Sequence, residues 1–567
     1  MEETMPRPRT LITFLLAAAI ALAGCAAPAT PAPGTTQAAS PTQAGQPIVL
    51  RVGWNDRPDS LNPAYAFLAS SYVIFDSVYS SLVKEGPDGR YYGDLAQSWE
   101  ASSDGLTWTF KLKSGIKWHN GAPLTAEDVA WSINEIKNDP EGWATLVNYT
   151  NGFVEVTAPD AQTVRIVTEY PISNMDYRVS FLYALWRPDF EPLATTEALQ
   201  NFANEKLIGT GAFKLAQYDK EQGLIVLERN PDFYDGPAKI DQVIFRAFDN
   251  SDALIQAFRA GELDVLYSVP NAALETVRGF PNVTVVQTPS RSFDELIVNS
   301  APKERVATST GNPALLDPKV RQALAHALNK QDLVDVVLQG LGKPGWSIVA
   351  PVLGGGFWHN DALTDYAYDP ARANALLDEA GYVRGADGIR EKDGVRLDFR
   401  LQFDVDSPEY ARTASLMVDM FRAIGVKVTP EALDSDTLTA NTTGVGDYDL
   451  VIWGWGGDPD PDFILSIMLC DQFVVGGWSD SGYCNEEYDR LYLEQQKAVD
   501  PAARQKIIYR MQELLLRDLP YIVLYNYDSL QAYRSDRFTN FPDYVANPSL
   551  TVGLTSAEVL RQVEPVR

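Results

Sequence analysis

The sequence predicts a mixed α/β protein of two or three domains. Three observations predict it. Short apolar runs of strand length alternate along the chain with longer segments that carry apolar residues at helical spacing. The helical segments open on capping residues and several close on glycine. From Ile48 onward about 520 residues remain, enough for two or three domains, and 45% of the chain is hydrophobic, as in ordinary globular proteins.

The amino terminus is read apart from the fold. Arg7 and Arg9 precede an apolar run from Leu11 to Leu22 that is short for a bilayer span but suits a signal h-region. Met5 offers an alternative start behind the unusual Glu2 and Glu3. The run ends in Leu22-Ala23-Gly24-Cys25, which resembles a bacterial lipobox, with residues 1–24 as leader and Cys25 as the lipidated first residue of the mature chain. Residues 25–47 are rich in Ala, Pro, Thr, Gln and Gly, lack aromatics and charges, and read as a disordered tether. The expectation is an extracytoplasmic, membrane-anchored protein, in the periplasm or on the outer face of the cell. No later stretch is long and apolar enough to span.

The first strand is Ile48–Trp54, followed by a DSLNP turn. Trp108–Leu112 alternates as a strand. Thr125 caps a helix, with Asp128 three residues on and Val129, Ile133 and Ile136 on one face. Asn250-Ser251-Asp252 opens another, with Leu254, Ile255 and Phe258 inward and Gly261 as its stop. Asp317-Pro318, Asp369-Pro370 and Asp500-Pro501 each combine an N-cap with a first-turn proline. Gly340 and Gly381 fit helix stops.

Near the carboxyl end lies YDLVIWGWGGDPDPDFILSIMLC, Tyr448–Cys470. Leu450, Val451 and Ile452 read as a buried strand, broken at Gly454, Gly456 and Gly457. Ligands of open α/β sheets gather outside the carboxyl ends of strands, so Trp453, Trp455 and Asp458 are candidates to meet one. The competing reading is a solvated Asp-Pro-Asp-Pro turn. A calcium loop fits poorly, because Phe463 and Leu469 stand where that motif needs glycine and glutamate.

Charge and cysteine content narrow the classes. With 47 basic and 75 acidic residues the net charge is −28, which disfavours nucleic acid and anionic lipid headgroups and suits cationic ligands. Cys470 and Cys484 predict a disulfide in an oxidising compartment. It would close a loop of about 15 residues and contribute roughly 3 kcal/mol; two separate thiols are the alternative. Enzyme motifs are missing: there is no Gly-x-Ser-x-Gly, P-loop or His-Glu-x-x-His. Ser81–Lys84 and Ser114–Lys117 match Ser-x-x-Lys but lack a Lys-Thr-Gly partner. His119, His326 and His359 are far apart in sequence, so no metal site and no cofactor is expected.

One long stretch carries a resemblance. DLAQSWEASSDGLTWTFKLKSGIKWHNGAPLTAEDVAWSINEI, from Asp94, resembles the signature block of the family 5 extracellular solute-binding proteins, the oligopeptide-, dipeptide- and nickel-binding components of bacterial ABC importers. GTGAFKLAQYDKEQGLIVLERNPDFYDG, DPKVRQALAHALNKQDLV, YDPARANALLDEAGY and LPYIVLYNY continue it in order. The resemblance implies a type II periplasmic-binding-protein clamshell with a hinge and an extra subdomain of the cluster C kind. Lobe I would comprise 48–82, 206–296 and 526–567, the extra subdomain 83–205, and lobe II 297–525. It implies a monomer without catalytic activity that delivers its ligand to a membrane permease.

In oligopeptide-binding members a Trp-x-x-Asp step places an aspartate on the peptide amino terminus, and Trp455-Gly456-Gly457-Asp458 has that spacing. Tyr525 matches a site-lining tyrosine, and Trp54 is a candidate from the opposite lobe, with core packing as its alternative. The arginine that grips the carboxylate in dipeptide-binding relatives is missing from FDVDSPEYAR, where Asp404 and Asp406 precede Arg412. That departure favours longer peptides, with oligosaccharides stacked on tryptophan as the alternative ligand and an α/β hydrolase as the alternative outside binding proteins.

Overall fold

The computed structural model describes residues 47–566, apart from 140, 144, 194, 544–549 and 551–552. The leader, Cys25 and the tether through Gln46 lie outside the described residues. Among the described residues no helix is long and apolar enough to cross a membrane.

An 11-stranded mixed sheet frames the molecule. On one flank Val49–Trp54 pairs in parallel with Gln242–Ala247, and Leu224–Arg229 and Phe213–Asp219 extend it antiparallel. On the other, Asp398–Asp404 pairs in parallel with Lys427–Leu433 and with Leu450–Trp455. Two long antiparallel strands, Val283–Val298 and Tyr521–Arg534, run between the flanks. Val265–Leu266 joins the first flank to Tyr521–Arg534, and Leu450–Trp455 joins the second to Val283–Val298.

The period-2 pattern of the strands decides what each face buries. Leu296, Val298, Leu450 and Ile452 enter one core of the second flank, while Phe293, Ile297 and Val451 enter the core on the opposite face. The first flank shares its core with a separate four-stranded antiparallel sheet, Ala96–Ala101, Thr107–Leu112, Thr163–Thr168 and Phe153–Asp160 in spatial order. The helix Ala126–Asn138 packs on that small sheet. Its start is the expected capping box, in which the Thr125 backbone N–H donates to Asp128 at 2.8 Å.

The Asp-Pro helix starts form as expected. Asp317 accepts from the Lys319 N–H at 2.9 Å, Asp369 from Arg372 at 2.8 Å and Asp500 from Ala503 at 2.7 Å. Asn250 caps Ser251–Arg259, which buries Leu254, Ile255 and Phe258 and ends before Gly261 at φ +78°. Cys470 and Cys484 form the disulfide, with Cα atoms 4.4 Å apart.

One boundary is corrected. The strand expected to break at Gly454 continues to Trp455. Gly454 stays in the ladder opposite Asp294, and a side chain there would meet the Asp294 carboxylate at 2.2 Å. Glycine at this position makes room for a neighbour's carboxylate and does not end the strand.

Candidate functional site

Of the three aspartates after Trp455, two hold the turn. Asp460 takes a bidentate ion pair from buried Arg504 at 2.5 and 2.6 Å and also accepts from the Asp462 N–H at 2.9 Å. The Arg504 guanidinium stacks over Trp358 at 4.8 Å. Asp462 accepts from Gln495 at 2.6 Å. This structural use answers the calcium-loop pattern: the second and third positions are spent on side chains of the fold.

Asp458 is half-buried and takes no part in the Asp460–Arg504 ion pair. Its Oδ2 accepts from the Tyr177 hydroxyl at 2.8 Å, a contact spanning 281 residues. Burial pushes its carboxyl above the usual range and Asp460 adds to that, while the Tyr177 hydrogen bond and Arg291 pull the other way. Arg291 itself is ion-paired with Glu85.

Arg291 stands where the two long strands part. Pro289 faces Asp528 and the next pairing is Phe293 with Asn526, so Ser290, Arg291 and Ser292 oppose Tyr527 alone. A bulge re-aims side chains. Here Ser290 and Ser292, with Thr288, Tyr527 and Asp528, line a cavity of about 680 Å³. A second cavity of about 200 Å³ lies between Tyr72, Tyr183, Glu85, Phe181 and Pro459, the residue after Asp458. Asp76 lines both.

The other expected site residues sit further back. Trp54 is fully buried, tilted on Phe245 at 4.8 Å and edge-on to Tyr267 at 5.8 Å. Tyr267 lines the larger cavity in its place. Tyr525 is fully buried beside Tyr527, rings 5.5 Å apart, and Tyr527 takes the lining position two residues on. Tyr527 also donates to Asp294, whose carboxyl burial pushes up to about 6. Trp453 and Trp455 are partly buried against the core, and Trp455 packs edge-on to Phe463 at 6.0 Å.

The histidines serve the fold separately. His119 accepts from the Gly209 N–H at 3.2 Å through Nδ1, and burial lowers it to about 4. His326 and His359 bond the carbonyls of Ala367 and Val349, each at 2.7 Å. Among the described residues no group of three His, Cys, Asp or Glu comes together to hold a metal. Ser81 donates to the Val83 carbonyl and Lys84 pairs with Glu558, while Ser114 accepts from Gln162 and Lys117 pairs with Asp232.

Sequence reasoning missed Asp76, Tyr177, Tyr183 and Tyr527. Asp76 alone left a signal, as the one carboxylate in the otherwise uncharged helix Ala69–Val78.

A profile described as "Bacterial extracellular solute-binding proteins, family 5 Middle" matches residues 90–473. The chain belongs to this family of solute-binding proteins. The "Di/tripeptide-binding protein 2" of Pseudomonas aeruginosa is 26% identical, over 86% of this chain and 91% of its own. The "Oligopeptide-binding protein AppA" of Bacillus subtilis is 25% identical, over 91% and 92%. Among solved structures, the B. subtilis AppA complex with a nonapeptide superposes with a TM-score of 0.67 at 22% identity, covering 92% of this chain and 100% of that one. NikZ from Campylobacter jejuni with Ni(L-His) gives 0.69 at 22%, covering 91% and 99%. The architecture is the type II periplasmic-binding-protein clamshell.

Proposed function

We propose that this chain captures oligopeptides outside the cytoplasm and delivers them to the membrane permease of an ABC importer, without catalysis. Asp458 carries the reading. It is a half-buried carboxylate beside the cleft, free of the ion pair that occupies Asp460, and contacted by a hydroxyl from a distant part of the chain. An ammonium placed against a desolvated carboxylate gains most where water is excluded. The peptide amino terminus would displace the Tyr177 hydroxyl and bridge the two sides, and so would bind the closed state better. The hydroxyl-rich larger cavity offers sequence-indifferent partners to peptide backbone groups.

In this reading lobe I comprises 48–82, 206–296 and 526–567, lobe II 297–525, and the extra subdomain 83–205. Cys25 carries a lipid anchor and residues 26–47 the tether, holding a monomer at the bacterial membrane. Trp453 and Trp455 wall in the ligand at the turn of Asp458, while Trp54 and Tyr525 support the lining residues Tyr267 and Tyr527 from behind.

Native mass spectrometry of protein purified without added ligand, followed by denaturation, tests the function. Released peptides are expected, and their lengths give the preference. A hexose series would replace the peptide reading with an oligosaccharide one. If nothing is released, thermal shift with peptide and oligosaccharide panels decides, because binding to the folded state alone raises the melting temperature.

A further inference from the structure

We propose that the cleft holds a second charged subsite, built on Asp76, that takes a cationic side chain of the peptide, lysine or arginine. The proposal rests on the peptide-binding reading and deepens it by naming a ligand preference.

Four observations carry it. First, Asp76 is placed for a ligand. It lines both cavities, and its side chain is exposed while its helix neighbours Ile74, Phe75, Ser77 and Val78 are buried. Protein nonetheless surrounds it closely enough that desolvation pushes its carboxyl up to about 6. The cavities it lines are where that exposed side chain meets solvent.

Second, its charge is unmatched. Oδ1 accepts from the Tyr183 hydroxyl at 2.8 Å, and among the described residues no lysine or arginine forms an ion pair with it. The charges it feels are Glu85 and Asp94, both negative.

Third, the other charges lining the smaller cavity are already paired. Glu85 holds Arg291, and Asp94 lies 3.9 Å from Lys84. Glu558 takes Lys84 at 3.3 Å and Arg561 at 2.6 Å. The lining cations are spent, so Asp76 gives the chamber an uncompensated negative charge.

Fourth, the walls suit an organic cation. Tyr72, Phe181 and Tyr183 line the same cavity, and aromatic rings attract ammonium and guanidinium groups. An aromatic row also leads there from Asp458. Tyr177 packs on Phe181 at 5.4 Å, and Phe181 on Tyr72 at 6.3 Å. A peptide whose amino terminus meets Asp458 could thus lay a following side chain along the rings toward Asp76.

The test is calorimetric titration of the purified protein with tetra-alanine peptides in which each position in turn is lysine, arginine, norleucine or glutamate. At one position the basic peptides are expected to bind roughly tenfold or more tighter than norleucine, which is what a hydrogen bond between charged groups is worth. Asp76→Asn keeps the acceptor for Tyr183 and is expected to collapse that ratio towards one. Peptides that bind without a basic preference at any position overturn the subsite, and the wild-type comparison alone decides this if the variant does not fold. So does a preference that survives Asp76→Asn. If no peptide binds, the peptide reading falls, and free arginine and spermidine are titrated against both proteins. Asp76-dependent binding then keeps the cation subsite with a free cation as its source, and absence of binding overturns it too.

Discussion

The Tyr177 hydroxyl donates to Oδ2 of Asp458 at 2.8 Å across 281 residues of sequence. The contact joins the short helix Met175–Ser180 to the turn after Leu450–Trp455 and occupies the oxygen that a ligand ammonium would take. A neutral hydroxyl against a half-buried carboxylate is a weaker match than a cation. Asp458→Asn is therefore expected to weaken peptide binding by roughly 3 kcal/mol or more, the cost of stranding one partner of a buried pair. N-acetylation of the peptide should cost the wild type a similar amount and the variant much less. Titration of both peptides against both proteins checks this, and equal losses in the two proteins would remove Asp458 from the amino terminus.

Arg504 and Asp460 are the structural counterpart. Both side chains are buried, and Gln495 accepts from the same guanidinium at 2.9 Å. Arg504→Met would leave Asp460 as an unpaired buried carboxylate. Its expected cost is about 3–5 kcal/mol in urea denaturation. Replacing both residues with apolar ones should recover much of that loss. A single variant within about 0.5 kcal/mol of wild type would show that the pair holds nothing.

Stability should rise on mild acidification. Burial lifts Asp480 to about 7, despite a hydrogen bond from Tyr521. Burial likewise lifts Asp176 and Asp294 to about 6. These folded-state values exceed those of the unfolded chain, so between about pH 4 and 7 the folded protein binds more protons, and stability falls as pH rises through that window. Asp518 and Asp447 are held low by hydrogen bonds and ion pairs and act only in stronger acid. The urea midpoint is expected to be higher at about pH 5 than at about pH 8, and Asp480→Asn should flatten the difference. A midpoint that falls on acidification contradicts the assignment of buried neutral acids.

The helix starts were legible because each is a local event. A capping aspartate bonds an N–H two or three residues away, so Asp317, Asp369 and Asp500 announce themselves in the chain. The turn of Asp458 was legible for the same reason. The cleft was not. Asp76 meets Tyr183 across 107 residues, and no pattern within Met175–Ser180 marks Tyr177 as a partner of Asp458. Trp54 was read from the end of the first strand and Tyr525 from the family resemblance, and strand periodicity adds only the face on which each side chain lies. It does not tell the layer that lines a cavity from the layer behind, which is where both residues lie.

The two glycines before Asp458 should behave differently. A side chain on Gly457 would approach the Arg291 carbonyl at 2.7 Å and its Cβ at 2.8 Å. That obstacle is the bulged segment of the long strand, whose backbone is fixed by pairing on either side. At Gly456 nothing lies within 4 Å. Neither glycine has a positive φ, so space alone separates them. Gly457→Ala is expected to cost about 1–3 kcal/mol of stability through overpacking. By pushing the turn off Arg291 it should also displace Asp458 and weaken peptide binding. Gly456→Ala should stay within about 0.5 kcal/mol of wild type. Urea denaturation and peptide titration of the two variants side by side check this. Equal behaviour would mean that the turn does not rest on the bulge, leaving the Arg504 network and the Tyr177 hydroxyl to position Asp458.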